Sequence, residues 1–425
     1  MNSRSHFLAL KHRNFRLIWA GQLISFSGSA MQMAAILWHV SLLVPEDRKG
    51  LALGMVGLVR VLPIIFFSLV SGVAADVFDR RRLMLITQST LAVLAALLAL
   101  LTFRGLTTVW PIYLLAALTS AAGAFDSPAR QSLIPNLVPR EHLPNAISLN
   151  AIMFQVAAVV GPSLAGVVIA SLGVGWAYIF NSVSFVMVIL ALILMRDVPV
   201  VQGREKGTMS RRAVGEGLRF VFASPIIRST MLLDFFATFF SSATALLPIF
   251  AQDILRVGPR GYGWLYAGPS IGALLASLFM VRAVDQINRR GAVLLWAVTG
   301  YGLATVLFGV SHYFWLTLVS LALTGATDTV SMVLRNLIRQ LETPDHLRGR
   351  MTSVNMVFFM GGPQLGEMEA GLVANWWGAP LSVISGGIGC LIATTWIART
   401  TPVLPRYRRE VHLAEVTGLK LDAKT

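Results

Sequence analysis

Apolar runs about as long as a bilayer is thick alternate along the chain with short polar or basic segments. A membrane-spanning helix needs ~20 consecutive, mostly apolar residues. The pattern predicts twelve of them, at residues 15–42, 51–75, 83–103, 108–129, 146–171, 174–195, 226–252, 261–283, 291–311, 313–334, 351–376 and 379–399. The longest polar stretch, 196–224, divides them six and six. The expected organisation is therefore an all-α membrane protein with an N-terminal six-helix bundle (1–195), a cytoplasmic linker (196–224), a C-terminal six-helix bundle (225–400) and a cytoplasmic tail (401–425). Within the linker, Val214, Leu218 and Val221 share one helical face, opposite Arg212, Glu216 and Arg219. That stretch reads either as a short helix on the membrane surface or as a solvated linker.

Composition agrees: 55% of residues are hydrophobic and 13% charged, with mean hydropathy +0.69. A soluble globular chain carries about 25% charged residues, so this apolar surplus has no soluble core to fill. A net charge of +15 would point to nucleic acid in a soluble domain. Its distribution points elsewhere. With the N-terminus in the cytoplasm, only Arg48, Lys49, Arg104, Arg256 and Arg260 fall in external loops, and Arg60 lies inside a span. The other Lys and Arg residues cluster on the inner side, which places both termini there. Expected partners are membrane lipids, anionic ones included, and no nucleic acid.

Cys390 is the only cysteine, which excludes an intrachain disulfide and a cysteine metal cluster. The chain has no HExxH, GxSxG, paired His or GxxxxGK[ST]. No catalytic residue, metal site, cofactor or ATP motor is expected.

The halves echo each other. Asp76, Arg80 and Arg81 in ADVFDRRRL reappear at one constant offset as Asp285, Arg289 and Arg290 in VDQINRRGA. A second offset pairs Arg130 with Arg335, Asn150 with Asn355, Gly161 with Gly366 and Gly166 with Gly371. GPSLAG in span five thus corresponds to GEMEAG in span eleven, so Pro162 and Leu164 face Glu367 and Glu369 across the repeat. Repeated halves with a site at the midplane are a known transporter plan.

Charges inside spans cost at least ~2.5 kcal/mol each and mark function by default. Here they are Glu367 and Glu369 in span eleven, Arg60 in span two and Asp234 in span seven. Asp234 reads equally as a second proton or cation site and as a hydrogen-bonding group toward another span, with Gln22 as its counterpart in the first half. Asp126 with Arg130, and Asp328 with Arg335, read as structural pairs at inner helix ends.

GVAADVFDRRRL resembles the loop signature of the major facilitator superfamily, and GPSLAG its antiporter motif. FDSPARQSLIPNLVPREHLPNAISLN with QLGEMEAG resembles the branch of enterobactin-exporter and macrolide-efflux-like transmembrane secretion effectors. Val77 and Asp79 depart from the loop signature, and span four lacks the buried arginine common in drug/proton antiporters. The resemblance implies a pseudo-symmetric twelve-helix rocker-switch protein, a monomer in a prokaryotic plasma (inner) membrane, exporting a bulky amphiphilic small molecule. Gly72, Asp76, Arg80 and Arg81 would form a cytoplasmic gate, repeated at Asp285, Arg289 and Arg290, and Gly161, Pro162 and Gly166 the antiporter motif. In that fold spans two and eleven run side by side, so Arg60 could pair with Glu367 or Glu369 while the other exchanges a proton. A static ion pair, an importer or lysophospholipid flippase, and a non-transporting sensor are the alternatives. Both glutamates face one cavity only if span eleven unwinds near Gly361–Gly366, because residues two apart point about 200° apart on a helix.

Overall fold

The computed structural model describes residues 8–196, 219–344 and 347–409, without the side chains of 68–70, 72–77, 243, 349, 350, 353 and 356–360. Most of the linker reading falls outside the described residues. Among them, twelve long helices follow the twelve apolar runs: α1 (Arg13–Leu43), α2 (Lys49–Val77), α3 (Arg80–Phe103), α4 (Trp110–Leu133), α5 (Leu143–Ser171), α6 (Val174–Leu194), α7 (Pro225–Ser241), α8 (Gly258–Ala283), α9 (Arg290–Val310), α10 (Phe314–Glu342), α11 (Arg348–Trp377) and α12 (Ala379–Thr400). Ten of the spans they form meet both length and hydropathy for crossing a membrane. The others, α4 and α11, have 24 and 30 residues and carry Asp126, Arg130, Glu367 and Glu369. Large apolar side chains face outward, Phe66, Trp110, Val281 and Trp315 among them, each more than 70% exposed. Water would make such a surface sticky; lipid is its natural solvent.

Local chemistry sets the helix ends. Asp79, at the position where the loop signature has glycine, accepts a hydrogen bond from Arg82 N at 2.9 Å and so caps α3. Pro111, Pro144, Pro225 and Pro380 sit in first turns, where the missing N–H costs no helical bond. Gly173 and Gly378 turn the chain at φ 94° and 86°, a region that penalises any Cβ.

Span seven, expected as one run, is interrupted. The α7 helix stops at Ser241, a 3₁₀ turn covers Ala243–Leu246, and a π turn covers Phe250–Ile254. Pro248 explains part of this, because its ring offers no N–H to the carbonyl of Thr244. The Thr238 and Ser242 hydroxyls bond back to the carbonyls of Asp234 and Thr238, which also bends helices.

The described residues form two compact units. The first holds α1–α6 and takes in Leu247–Ala267; the second holds the stretch before Leu247 and everything from Gly268 on. In the first, α1 packs on α5 and α6, α3 on α4 and α6, and α2 on α4, around Phe15, Ile18, Met84, Leu133, Leu149 and Leu192. In the second, α7 packs on α11 and α12, and α9 on α10 and α12, around Leu233, Met280, Leu294, Leu334, Ile338 and Ile397.

Candidate functional site

The most concentrated buried charge lies in the second unit. Asp234 on α7 is 2% exposed and meets two arginines of α10 spaced one turn apart. Arg335 Nη2 is 3.1 Å from Asp234 Oδ1, and Arg339 Nη2 is 3.6 Å from Oδ2. Arg335 Nη2 also donates to Asp328 Oδ1 at 3.2 Å. Arg339 donates to the Arg335 carbonyl at 3.2 Å, to Asn336 Oδ1 at 3.1 Å and to Asn355 Oδ1. Two carboxylates and two guanidiniums cancel in charge, which lets four ionic groups share a low-dielectric interior. Losing one partner from such a network costs about 3–5 kcal/mol, because a charge is left buried and uncompensated.

Asp328 differs from Asp234 in its surroundings. Its side chain keeps 37% of its surface accessible, against 3% for Asp234. The open side faces a cavity of about 110 Å³ lined by Ser241, Thr244, Tyr301, Thr305, Thr324 and Asp328. Close backbone approach between α8 and α10 builds one wall. A Cβ on Gly325 would sit 1.8 Å from the Pro269 carbonyl oxygen, and one on Gly272 would sit 1.7 Å from that of Ala322.

The first unit holds a simpler version. Asp126 and Arg130 form the expected i,i+4 pair on α4. Thr87 Oγ1 and Gln88 Nε2 donate to Asp126 Oδ1 at 2.9 and 2.8 Å, and the Arg130 guanidinium lies 4.3 Å over the Phe26 ring. Gln22 is buried on α1, and its Nε2 has no hydrogen-bond partner among the described residues.

The motif glycines act by allowing close approach. A Cβ on Gly161 would lie 2.5 Å from the Ser27 carbonyl oxygen of α1, and one on Gly166 2.7 Å from that of Pro259. Pro162 lies inside an α5 that runs unbroken from Leu143 to Ser171. Their repeat partner behaves alike: a Cβ on Gly366 would lie 2.2 Å from the Phe239 carbonyl oxygen of α7.

Unwinding at Gly361–Gly366 does not occur, since α11 is helical from Arg348 to Trp377. Gly362 and Gly366 instead seat α11 against Thr238 and Phe239 of α7, so the small residues are used for packing. Glu367 and Glu369, both half-buried, therefore point in different directions on one regular helix. Arg60 is half-buried on α2 of the first unit.

Among the gate residues, Gly72 and Asp76 lie in the last turns of α2, with the Asp76 side chain outside the described residues. Arg80 donates to the Ser132 carbonyl at 2.9 Å and Arg81 to that of Ile193 at 3.2 Å. Both thus tie α3 to neighbouring helix ends. In the second unit, the Asp285 carbonyl accepts from Arg409, Arg289 precedes α9, and Arg290 is buried at its start. Residues 404–407 lie against that start, with Gly291 N donating to the Tyr407 carbonyl at 3.2 Å.

Two features escaped the sequence reading. Arg339 counts there as one more inner-side charge; its i,i+4 spacing from Arg335 was the available signal. Lys49 counts as an external loop charge, yet it is 8% exposed and bonded to Asp253 Oδ2 at 3.0 Å inside the first unit. Gln252 Nε2 donates to Ser41 Oγ at 2.8 Å, and Tyr262 OH to the Ala34 carbonyl at 2.8 Å, fastening the same segment.

The architecture is that of the major facilitator superfamily of transporters. A bacterial homologue of the lysosomal transporter Spinster superposes with TM-score 0.71 at 14% identity, covering 93% of this chain and 98% of that one. A POT family transporter gives 0.72 at 10% identity, with 92% and 96% covered. A bacterial homologue of the iron transporter ferroportin gives 0.66 at 16%, with 90% and 99% covered. The transmembrane secretion effector model matches residues 4–412, and the chain belongs to that family. Enterobactin exporters of Escherichia coli and Shigella boydii are 26% identical over 415 residues, 96% of this chain and 98% of theirs. The protein is thus a multi-pass membrane transporter that binds a small-molecule substrate, from a family of transporters rather than enzymes.

Proposed function

We propose that this transporter is a secondary active exporter of a bulky amphiphilic small molecule, a siderophore or lipophilic drug, exchanged for protons by alternating access. It would sit as a monomer in a prokaryotic plasma membrane with both termini cytoplasmic. The observation that carries this reading is the similarity to enterobactin exporters along nearly the whole of both chains. Titratable groups within the spans supply the coupling chemistry: Glu367 and Glu369 on α11 and Asp234 on α7, with Arg60 as a counter-charge. Bending and tight contacts at Gly161, Pro162 and Gly166 would hold the helices closed against proton leak. The gate residues Gly72, Asp76, Arg80 and Arg81, with Asp285, Arg289 and Arg290, would bias one conformer by pairing at the inner ends of the helices.

Everted vesicles with an acidified lumen and a pH-sensitive dye test this. Siderophores, macrolides and hydrophobic cations are added in turn, to the native protein and to Glu367→Gln, Glu369→Gln and Asp234→Asn. Proton release that depends on substrate and disappears in one of the variants supports antiport and names its carboxylate. Labelled substrate crossing equally in all of them, with no proton movement, overturns the proton reading.

A further inference from the structure

The cavity beside Asp328 is too small for a bulky amphiphile; Pro269, Phe308 and Leu321 make much of its wall apolar, and its polar groups are a carboxylate and a set of hydroxyls. About 110 Å³ is several times the ~30 Å³ of one water molecule. Two of its hydroxyls present acceptors rather than donors. Thr305 Oγ1 gives its proton to the Tyr301 carbonyl at 2.9 Å, and Thr324 Oγ1 to the Leu321 carbonyl at 2.6 Å. Each hydroxyl has a single proton, so what remains toward the cavity is lone pairs. Ser241 Oγ is buried with no hydrogen-bond partner of ordinary length among the described residues; its neighbour is the weakly polar Cys390 thiol. Asp328 adds a carboxylate with part of its surface open.

The backbone adds to this bias. Ser241 is the last residue of the 17-residue α7, and Thr244 lies in the irregular turn that follows. A helix C-terminus carries roughly half a negative charge. Non-helical backbone at membrane depth persists where it lines a cavity, and the C-terminal ends of broken helices are where transporters hold cations. Arg335 is not held by Asp328 alone, because Asp234 shares the same guanidinium at 3.1 Å.

We propose that this cavity is a binding site for a compact monovalent cation, held by Asp328 with the hydroxyl oxygens of Ser241, Thr244, Thr305 and Thr324. The cation is either an alkali ion or a primary ammonium group of a transported molecule. The site is separate from the glutamates of α11 and does not depend on proton exchange there.

The test uses the full chain purified in detergent, with unfolding followed by tryptophan fluorescence at fixed pH and ionic strength. Choline chloride is the reference, replaced stepwise by sodium, potassium or methylammonium chloride. A bound cation raises the unfolding temperature by a few degrees over choline, saturably. Sodium or potassium acting alone identifies an inorganic ion; methylammonium acting alone identifies an ammonium group. Asp328→Asn should abolish the shift, and Thr305→Val with Thr324→Val should raise the half-saturating concentration at least about tenfold, the equivalent of ~1.4 kcal/mol. If Asp328→Asn fails to fold, the threonine pair carries the test. Equal unfolding temperatures in all four salts, or a shift that persists undiminished in the variants, overturns the proposal.

Discussion

Arg130 in the first unit, half-buried, and Arg335 in the second, fully buried, are repeat partners, but they are neutralised differently. Arg130 takes its counter-charge from Asp126, one turn away on the same helix, and stacks on Phe26. Arg335 reaches across to Asp234 on α7, joined by Arg339, and shares Asp328 with a small cavity. A pair contained in one helix survives any rigid movement of that helix. A pair between two helices is stretched when they shift, so its energy depends on conformation. The energy of the second unit's network therefore depends on the distance between α7 and α10, whereas the first unit's Asp126–Arg130 pair lies within one helix.

Removing the central carboxylates should break this comparison most visibly. Asp234→Asn leaves one of the two guanidiniums uncompensated and should lower stability by about 3–5 kcal/mol. Asp126→Asn should cost clearly less, since Thr87 and Gln88 still find an acceptor oxygen and Arg130 keeps its ring. Thermal unfolding of the two variants in detergent checks the order. Equal losses would show that within-helix and between-helix pairing do not differ. Combining Asp234→Asn with Arg339→Leu should recover part of the loss, because one orphaned charge is gone.

The repeated glycines sharpen the comparison at smaller scale. Gly366→Ala places a methyl group 2.2 Å from the Phe239 carbonyl oxygen, and Gly166→Ala one 2.7 Å from that of Pro259. Overpacking of this kind costs about 1–3 kcal/mol, with Gly366→Ala the more damaging. Unfolding temperature ranks the two, and the reverse order would mean that α5 yields less than α11.

Asp79→Ala removes a helix cap that has no equivalent hydrogen bond at Asn288 among the described residues; it should cost about 1 kcal/mol, seen as earlier unfolding. Lys49→Gln should have the smallest effect, ~1 kcal/mol or less. Asp253 is partly exposed, so the difference between Lys49→Gln and the native protein should shrink at high salt. A salt-independent loss would mark this contact as fully desolvated.

Much of the site was legible before folding. Asp234 stood out because a carboxylate in STMLLDFFATFF has no solvent to face, and the Asp126–Arg130 pair followed from helical spacing alone. Asp328 was visible too, but only as half of an expected pair with Arg335. Its second side, open to a cavity of hydroxyls, depends on where α7 ends and how closely α8 meets α10. Glu367 and Glu369 were found as residues, yet their shared access to one cavity rested on an unwinding that the packing of Gly362 and Gly366 against α7 makes unnecessary.

What the sequence alone determined was the solvent and the outline. Twelve long apolar runs in a chain with few charges have one environment in which burial is favourable, and the repeated motifs carry the family. What the tertiary structure decided was which charges share a site. Hydropathy registers each ionisable residue separately, while pairing depends on helix rotation and distance, and these are set by small contacts far apart in sequence. Arg339 shows the difference most plainly. In the sequence it is one basic residue among many at an inner helix end; in the fold it is a buried partner of Asp234, held there because α7 and α10 pack closely enough for guanidinium and carboxylate to meet.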